Sequence, residues 1–344
     1  MRAPVEFRFG HLPQSVNLPL IDDLERHKIG IVYKEQGAEA ALALGHELVQ
    51  GELKVARVEA WRDQFRKWPE AAITCFRGGQ RSQISQEWLT NTGLFVPRVA
   101  GGYKAARGFL LSELGRLFED LSFLVISGAT GSGKTELLQF LKCRKSIDLE
   151  ALAHHRGSAF GQLDHEQPSQ ATFENELAVR LIDCEEFLTA GPVLVEDEGR
   201  LIGRCLVPPR LFEIIGRAPR VHIEESFDSR VERILQSYIY ETAIGRRDEE
   251  SVQTGLAVFS RYQHAITAIQ KRLGGTLAQS IMRDLEVARD AWREKRDFEP
   301  NRAWIASLLR HYYDPRYLQA ESRSTAEITF RGNWADCAQF LAKR

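Results

Sequence analysis

At 344 residues, 43% of them apolar and 27% charged, the chain has an ordinary globular composition and is too long for one core, so two domains are expected. A formal charge of −1 excludes a globally basic surface, and any nucleic-acid partner must be met by a local basic patch. Five scattered cysteines with no C-x-x-C pair (Cys75, Cys143, Cys184, Cys205 and Cys337) argue against a disulfide framework and a zinc site.

In chain order, Leu12 to Leu20 reads as a loop punctuated by Pro13 and Pro19, and Gly37 to Trp61 has helical composition. Ala71 to Cys75 is a short apolar strand that runs into glycines, and Gln83 to Thr90 is the helix after it. Val96 to Val99 is a further short strand, closed by Gly101 and Gly102. Tyr103 to Asp120 carries Phe109, Leu110, Leu114, Leu117 and Phe118 on one helical face. Leu121 to Ser127 has the pattern of a buried strand, as do Val193 to Val195 and Val221 to Ile223. Phe227 to Tyr313 is almost wholly helical, and Ala326 to Phe330 forms a late strand before a terminal helix. The expected layout is an α/β domain over 1–105, a connecting helix over 106–120, and a second α/β domain with a helical C-terminal part over 121–344.

Gly128-Ala129-Thr130-Gly131-Ser132-Gly133-Lys134-Thr135 fits G-x-x-x-x-G-K-[ST] between a strand and a helix. Glycines at 128, 131 and 133 let backbone N–H groups turn inward around phosphate oxygens. Ser132 lies within that turn, the helix N-terminus adds positive potential, Lys134 reaches the outer phosphates and Thr135 can hold Mg²⁺. Val193 to Glu198 reads either as a strand ending in a Mg²⁺-orienting acid, Glu196 or Asp197, or as a solvated acidic turn. No Asn-Lys-x-Asp segment is present to read guanine, and a lipid or small-molecule diphosphate fits the loop as well as ATP.

Cys75-Phe76-Arg77-Gly78-Gly79-Gln80-Arg81-Ser82 sets a cysteine at a strand end beside a helix N-terminus. There the dipole and the loop N–H groups stabilise a thiolate and make a concave nest for an oxyanion. Arg81 can clamp that oxyanion, Ser82 can donate to the thiolate, and Gly78 and Gly79 allow the tight bowl. The bland alternative is a buried cysteine on a glycine turn. Five residues between Cys and Arg is the spacing of cysteine-dependent phosphatases, while the commoner rhodanese loop is one shorter. Thr74, where phosphatases place His, favours a sulfur or selenium carrier. Arg2 to Phe7 with Gly10 to Pro13 and Val16 to Pro19 resembles the rhodanese N-terminal signature, and Gly101-Gly102-Tyr103 its closing segment.

The order of these segments, followed by His155 to Gly161, Gln170 to Glu174, Glu196 to Gly203 and Tyr312 to Pro315, resembles the tRNA 2-selenouridine synthase family over nearly the whole chain. The resemblance implies a rhodanese-like α/β domain followed by a P-loop NTPase-like α/β domain. It implies an enzyme that replaces the sulfur of wobble 2-thiouridine in tRNA with selenium from selenophosphate, through an S-geranyl intermediate made from geranyl diphosphate. Cys75 would then carry selenium as an S-selanyl cysteine, with Arg81 and the loop amides on the phosphate of selenophosphate. Gly128 to Thr135 would hold the geranyl diphosphate. Selenophosphate and geranyl diphosphate enter as co-substrates, with no tightly bound cofactor and no metal other than Mg²⁺ at the phosphate loop. A selenophosphate-supplying enzyme is an expected partner, and the oligomeric state stays open. The family's signature has a strand and an Asp-Val pair ahead of Arg2, where this sequence has Met1. The expectation is therefore a late start codon or a shortened chain with a weakened first domain.

Arg77, Lys104, Arg107, Arg156, Arg200 and Arg204 are tRNA-contact candidates, though each taken singly reads more readily as a solvated surface cation. His154 and His155 are adjacent and face different directions, so no metal is assigned to them. MRAPVEFRFG lacks a secretory pattern, and no apolar run approaches the ~20 residues that cross a bilayer, so a reducing cytoplasm is expected and no membrane. Two rivals remain: a cysteine phosphatase with a nucleotide-binding domain, and a nucleotide-switched adaptor.

Overall fold

A computed structural model of the chain describes all residues except 142–144, 186–190, 243, 246–250 and 344, and Cys143 lies outside the described residues. The chain divides into two units, Met1–Leu117 with Pro168–Ile182, and Phe118–Gln167 with Asp183–Arg344. Residues 168–182 thus belong with the first unit although they fall inside the expected second domain, and most of the expected connector 106–120 is first-unit structure.

The first unit is built mostly of helices: α1 (Pro4–Arg8), α2 (Asp23–Gln36), α3 (Ala38–Leu48), α4 (Gly51–Lys67), α5 (Gln80–Thr90) and α6 (Gly102–Asp120), which runs past the unit's edge. Asp22 starts α2 by accepting from the Glu25 N–H while Glu25 accepts from the Asp22 N–H. Val58, Trp61 and Phe65 recur at helical spacing on α4 and bury against Trp88 and Leu89 of α5, with the Trp61 and Trp88 rings stacked 6.1 Å apart.

The strands expected at Ala71–Cys75 and Val96–Val99 meet only as one parallel bridge, Ile73 to Arg98. Ile73 N–H donates to Pro97 O at 2.8 Å, and Val99 N–H donates to Ile73 O at 2.9 Å. Among the described residues no longer strand forms in this unit, which corrects the expected sheet. Pro97 has no N–H to extend the ladder, and the glycine turn after Cys75 ends it on the other side.

The second unit is an α/β layer structure. Its elements begin with β1 (Phe123–Gly128), α7 (Lys134–Leu141), β2 (Ser146–Ile147) and α8 (Leu149–Ala153). Helix α9 (Gln170–Glu185) then returns the chain to the first unit for most of its length. After it come β3 (Val193–Glu196), the antiparallel hairpin β4 (Leu201–Ile202) and β5 (Cys205–Leu206), α10 (Pro209–Arg217) and β6 (Arg220–Ile223). A helical run follows: α11 (Phe227–Leu235), α12 (Ser251–Leu273), α13 (Gly275–Lys295), α14 (Asn301–Leu308) and α15 (Asp314–Glu321), with π-helical turns at Gln236–Tyr240 and Leu309–Tyr313. Strand β7 (Ile328–Gly332) and α16 (Trp334–Ala342) close the chain.

Five strands form one parallel sheet in the order β2-β3-β1-β6-β7. Every β1 residue is buried, as its continuous apolar sequence requires of a central parallel strand. Leu124, Ile126, Val221 and Ile223 pack on one face against Leu137 and Leu138 of α7 and Ala338 and Leu341 of α16. The connections leave β1 and β3 in opposite directions, so a crevice opens at their carboxyl ends, where ligands of such sheets bind. The helical run has its own core around Phe259, Trp292 and Trp304.

Candidate functional site

Cys75 is buried at the end of the short ladder, with Sγ 3.3 Å from Ser82 Oγ and 3.9 Å from the Gly79 carbonyl. Burial pushes its thiol up, but the Ser82 hydroxyl, the Ser82 and Arg77 N–H groups and the Arg81 charge outweigh it, so the thiol lies below its ordinary value. Gly79 caps α5, whose first turn carries Gln80, Arg81 and Ser82.

The outward carbonyls of the loop are satisfied by the start of α6. Tyr103 N–H donates to Cys75 O and Lys104 N–H to Phe76 O, both at 2.9 Å, while Arg98 Nη1 reaches Gly78 O at 3.2 Å. A Cβ on Gly102, whose φ is +62°, would collide with the Cys75 carbonyl and the Gly78 nitrogen, so the closing glycines exist to let two backbones touch. The Phe76 ring tilts against Tyr103 at 6.3 Å, and Arg77 is exposed.

Arg81 is placed beside the loop, but Glu6 grips both of its terminal nitrogens, and Arg26 Nε adds a contact to Glu6 at 3.2 Å. Burial raises the Glu6 carboxyl, but the bonds from Arg81, Ala3 N–H and Arg26 win and hold it at about 2. Glu6 was missed by sequence reasoning because nothing local marks a partner so far along the chain.

Arg107 is a structural residue rather than a free cation: its guanidinium donates to Ala171 O at 2.9 Å and Asn175 Oδ1 at 2.8 Å, and pairs with Glu174 at 2.5 Å. Asn175 in turn donates to His11 O at 2.7 Å. The Gln170 to Glu174 segment thus fastens α9 within the first unit.

In the second unit, the glycine-rich loop follows β1 and opens α7 as expected. Its carbonyls are held from outside: Arg230 Nε on Thr130 O at 2.9 Å, Arg233 Nη1 on Gly131 O at 3.2 Å and Trp334 Nε1 on Gly133 O at 3.1 Å. Asp314 pairs with Arg230, which gives the Tyr312 to Pro315 segment its place. Gly131 and Gly133 have φ of +83° and +87°. Lys134 Nζ donates to Gly128 O at 3.0 Å, and the buried Ser132 hydroxyl has no hydrogen-bond partner.

Thr135 Oγ1 donates to Glu196 Oε2 at 2.7 Å and lies 3.3 Å from Glu150 Oε2. Glu196 is fully buried at the end of β3, and its Oε1 is unpartnered. Asp197, the other acid expected here, pairs instead with Arg220 at 2.6 Å. Glu150 and Glu198, which sequence reasoning did not select, complete an acidic floor against Gly157, where an added Cβ would lie 2.5 Å from Glu150 Oε1 and 2.6 Å from Glu198 Oε2. Burial and mutual repulsion raise all three carboxyls, Glu150 to about 8. These groups line a cavity of about 1020 Å³.

Among the described residues no three His, Cys, Asp or Glu side chains form a ready-made metal cage. A cation here would draw further oxygens from a phosphate ligand, as Mg²⁺ commonly does. Arg156 donates to the Ser237 carbonyl and Arg204 to the Gln167 carbonyl, so both have protein partners. Among the described residues no helix is long and apolar enough to cross a membrane.

The family description "tRNA 2-selenouridine synthase AAA domain" matches residues 121–344. Proteins named tRNA 2-selenouridine synthase from Nitrosomonas eutropha and Bdellovibrio bacteriovorus are 41% and 42% identical, over 100% and 99% of this chain and 93% of each relative. The chain belongs to the tRNA 2-selenouridine synthase family. A relative of that name from Shewanella pealeana is 42% identical over 99% of this chain and 93% of its own length. No solved structure matches the chain. The family match covers the phosphate loop and the acidic floor, and the full-length relatives extend it over the cysteine loop.

Proposed function

We propose that the protein replaces the sulfur of wobble 2-thiouridine in tRNA with selenium, using the cysteine loop for selenophosphate chemistry and the phosphate loop for geranyl diphosphate. The observation that carries this reading is a thiol held below its ordinary value by Ser82 and loop amides, in a chain of this family that also carries a phosphate loop. The loop, its closing glycines and the Arg81–Glu6 pair support a rhodanese-like first domain whose sheet is reduced.

At the phosphate loop, Lys134 and the inward amides hold the diphosphate. Thr135 and Glu196 are the residues that would hold Mg²⁺, and the orphaned Glu196 oxygen and mutually repelling carboxyls fit a cation. Held there, the ion would supply charge neutralisation to a departing diphosphate. Alkylating the C2 sulfur makes it a better leaving group, which selenium then displaces. A selenophosphate-forming enzyme supplies the donor, and a tRNA substrate places the work in the cytoplasm.

The test is mass spectrometry of nucleosides from 2-thiouridine tRNA incubated with selenophosphate, geranyl diphosphate and wild type, Cys75→Ser or Lys134→Ala. Wild type yields 2-selenouridine, Cys75→Ser stops at the geranylated base, and Lys134→Ala fails to geranylate. Phosphorus speciation separates two routes. A Cys75 thiolate attacking selenium leaves phosphorus with the P–Se electron pair, as phosphite; selenium attacking C2 of the base leaves phosphate after hydrolysis. Unmodified tRNA with hydrolysis of aryl phosphates would move the reading to a cysteine phosphatase.

A further inference from the structure

We propose that Tyr317, His222 and Glu321, with Ser127, form a proton relay in the wall of the phosphate-loop cavity, and that Tyr317 removes the N3 proton of the wobble base as its sulfur is alkylated. This rests on the reading that alkylation by a prenyl diphosphate occurs in this cavity.

The placement follows from strand register. Ser127, the last residue before the loop's first glycine, sits beside His222 on the neighbouring parallel strand. Their neighbours Ile126, Val221 and Ile223 occupy the apolar face covered by α7 and α16, so Ser127 and His222 face the other side. His222 Nδ1 lies 3.2 Å from Ser127 Oγ and 3.4 Å from the Tyr317 hydroxyl. On the other side of the ring, Nε2 lies 3.9 Å from Glu321 Oε1. A carboxylate, an imidazole and a hydroxyl in series are the arrangement that moves protons in many enzymes, with contacts that tighten when substrate binds. All four residues line the cavity that holds Lys134 and Thr135.

The bland reading is a buried histidine satisfied by Ser127. It leaves unexplained why a titratable ring stands at the carboxyl edge of the sheet, paired with the residue that precedes the phosphate loop, with a carboxylate behind it. Ser127 is almost fully buried, whereas Tyr317 is only partly so, which makes Tyr317 the hydroxyl that reaches substrate.

The chemistry balances. A sulfur lone pair forms the S–C bond to the allylic carbon, the C–O bond breaks, and its electron pair leaves with the diphosphate. The N3–H pair stays on the ring, and its proton passes to the Tyr317 oxygen as the phenolic proton moves to His222 Nδ1. Glu321 then faces an imidazolium. The groups around His222 are Ser127 from β1, Asp197 after β3, Arg220 on β6 and Glu224 just after it, Tyr317 and Glu321 from α15, Arg331 from β7 and the Cys337 thiol on its carbonyl from α16. Burial, with Arg331, lowers the ring below its ordinary value against the pull of these carboxylates, so it is neutral and able to accept at neutral pH.

The deciding experiment is single-turnover geranylation of 2-thiouridine tRNA between pH 5 and 9 by wild type, Tyr317→Phe, His222→Asn and Glu321→Gln, with geranyl diphosphate affinity measured alongside. Tyr317→Phe and His222→Asn are expected to slow the step by about 10²-fold or more, with affinity unchanged within about threefold. Glu321→Gln, on a partly exposed side chain, slows it by about tenfold and covers the case in which His222→Asn fails to fold. The acid limb of the wild-type pH profile disappears in His222→Asn. Wild-type rates in Tyr317→Phe across the range, or a loss that appears only as weaker geranyl diphosphate binding, overturn the relay and leave the alkylation reading standing. A wild type that does not geranylate overturns that reading, and the relay with it.

Discussion

Both oxygens of Glu6 grip the guanidinium of Arg81, 75 residues further along the chain and in the first turn of the helix that follows the Cys75 loop. The Glu6 side chain is only 15% exposed, so this pair is poorly screened by water.

Glu6→Gln should therefore cost roughly 1–3 kcal/mol at pH 7, because it leaves a half-buried guanidinium without its counter-charge. The folded carboxyl sits at about 2 against an ordinary 4.5, so the stabilisation is complete above 4.5 and is lost as pH falls toward 2. Urea unfolding of the two proteins at pH 7 and near pH 3 checks the sign: the gap must shrink in acid.

Ser82→Ala removes the side chain that holds the Cys75 thiol down, and the thiol should then titrate at higher pH. Thiolate absorbance or iodoacetamide rate against pH reads this directly. Burial pushes the Cys205 and Cys337 thiols up, so their signals appear later in the titration. An unchanged midpoint would show that the loop amides and the Arg81 charge set the thiol without the hydroxyl.

Gly102→Ala should cost more than about 2 kcal/mol, since it combines a left-handed backbone with a collision against Cys75 O and Gly78 N. The expected readout is a lowered melting temperature together with altered Cys75 alkylation. Gly108→Ala, where a Cβ meets nothing within 4 Å, is the matched control and should be neutral or slightly stabilising.

Glu150→Gln should stabilise the protein at alkaline pH. Its folded carboxyl is raised from 4.5 to about 8 by burial and by Glu198, so the wild type loses stability as pH rises through that window. Melting temperatures should coincide at pH 5 and diverge by pH 9 in favour of the variant. Magnesium with pyrophosphate should give wild type a similar gain at pH 9.

What the sequence disclosed and what it hid divides along range. The phosphate loop was legible because glycines, lysine and threonine lie within eight consecutive positions and its flanking strand and helix are adjacent. The cysteine loop was legible for the same reason. Glu6, Glu150 and Asn175 were not, because each acts on a residue that only the fold brings near. The sheet expected in the first unit failed on a backbone detail, since apolar residues at 71–75 promise a strand but Pro97 gives its partner no N–H at the next rung. Glu196 and Asp197 are alike in sequence as cation-orienting acids, but the first is buried at the end of β3 and the second, just beyond it, pairs with Arg220.

Residues 168–182 have a consequence for how the protein is made. The first unit lacks Asn175 and Glu174 until the ribosome has passed them, by which time the phosphate loop and the first sheet strand have already been synthesised. The core around Trp61 and Trp88 is complete within the first hundred residues, but the contacts of Arg107 and of the His11 carbonyl must wait for a stretch encoded well downstream. An expressed fragment ending at residue 120 would leave Arg107 and the His11 carbonyl bare, so dissecting the two halves calls for a fragment that supplies α9 as well.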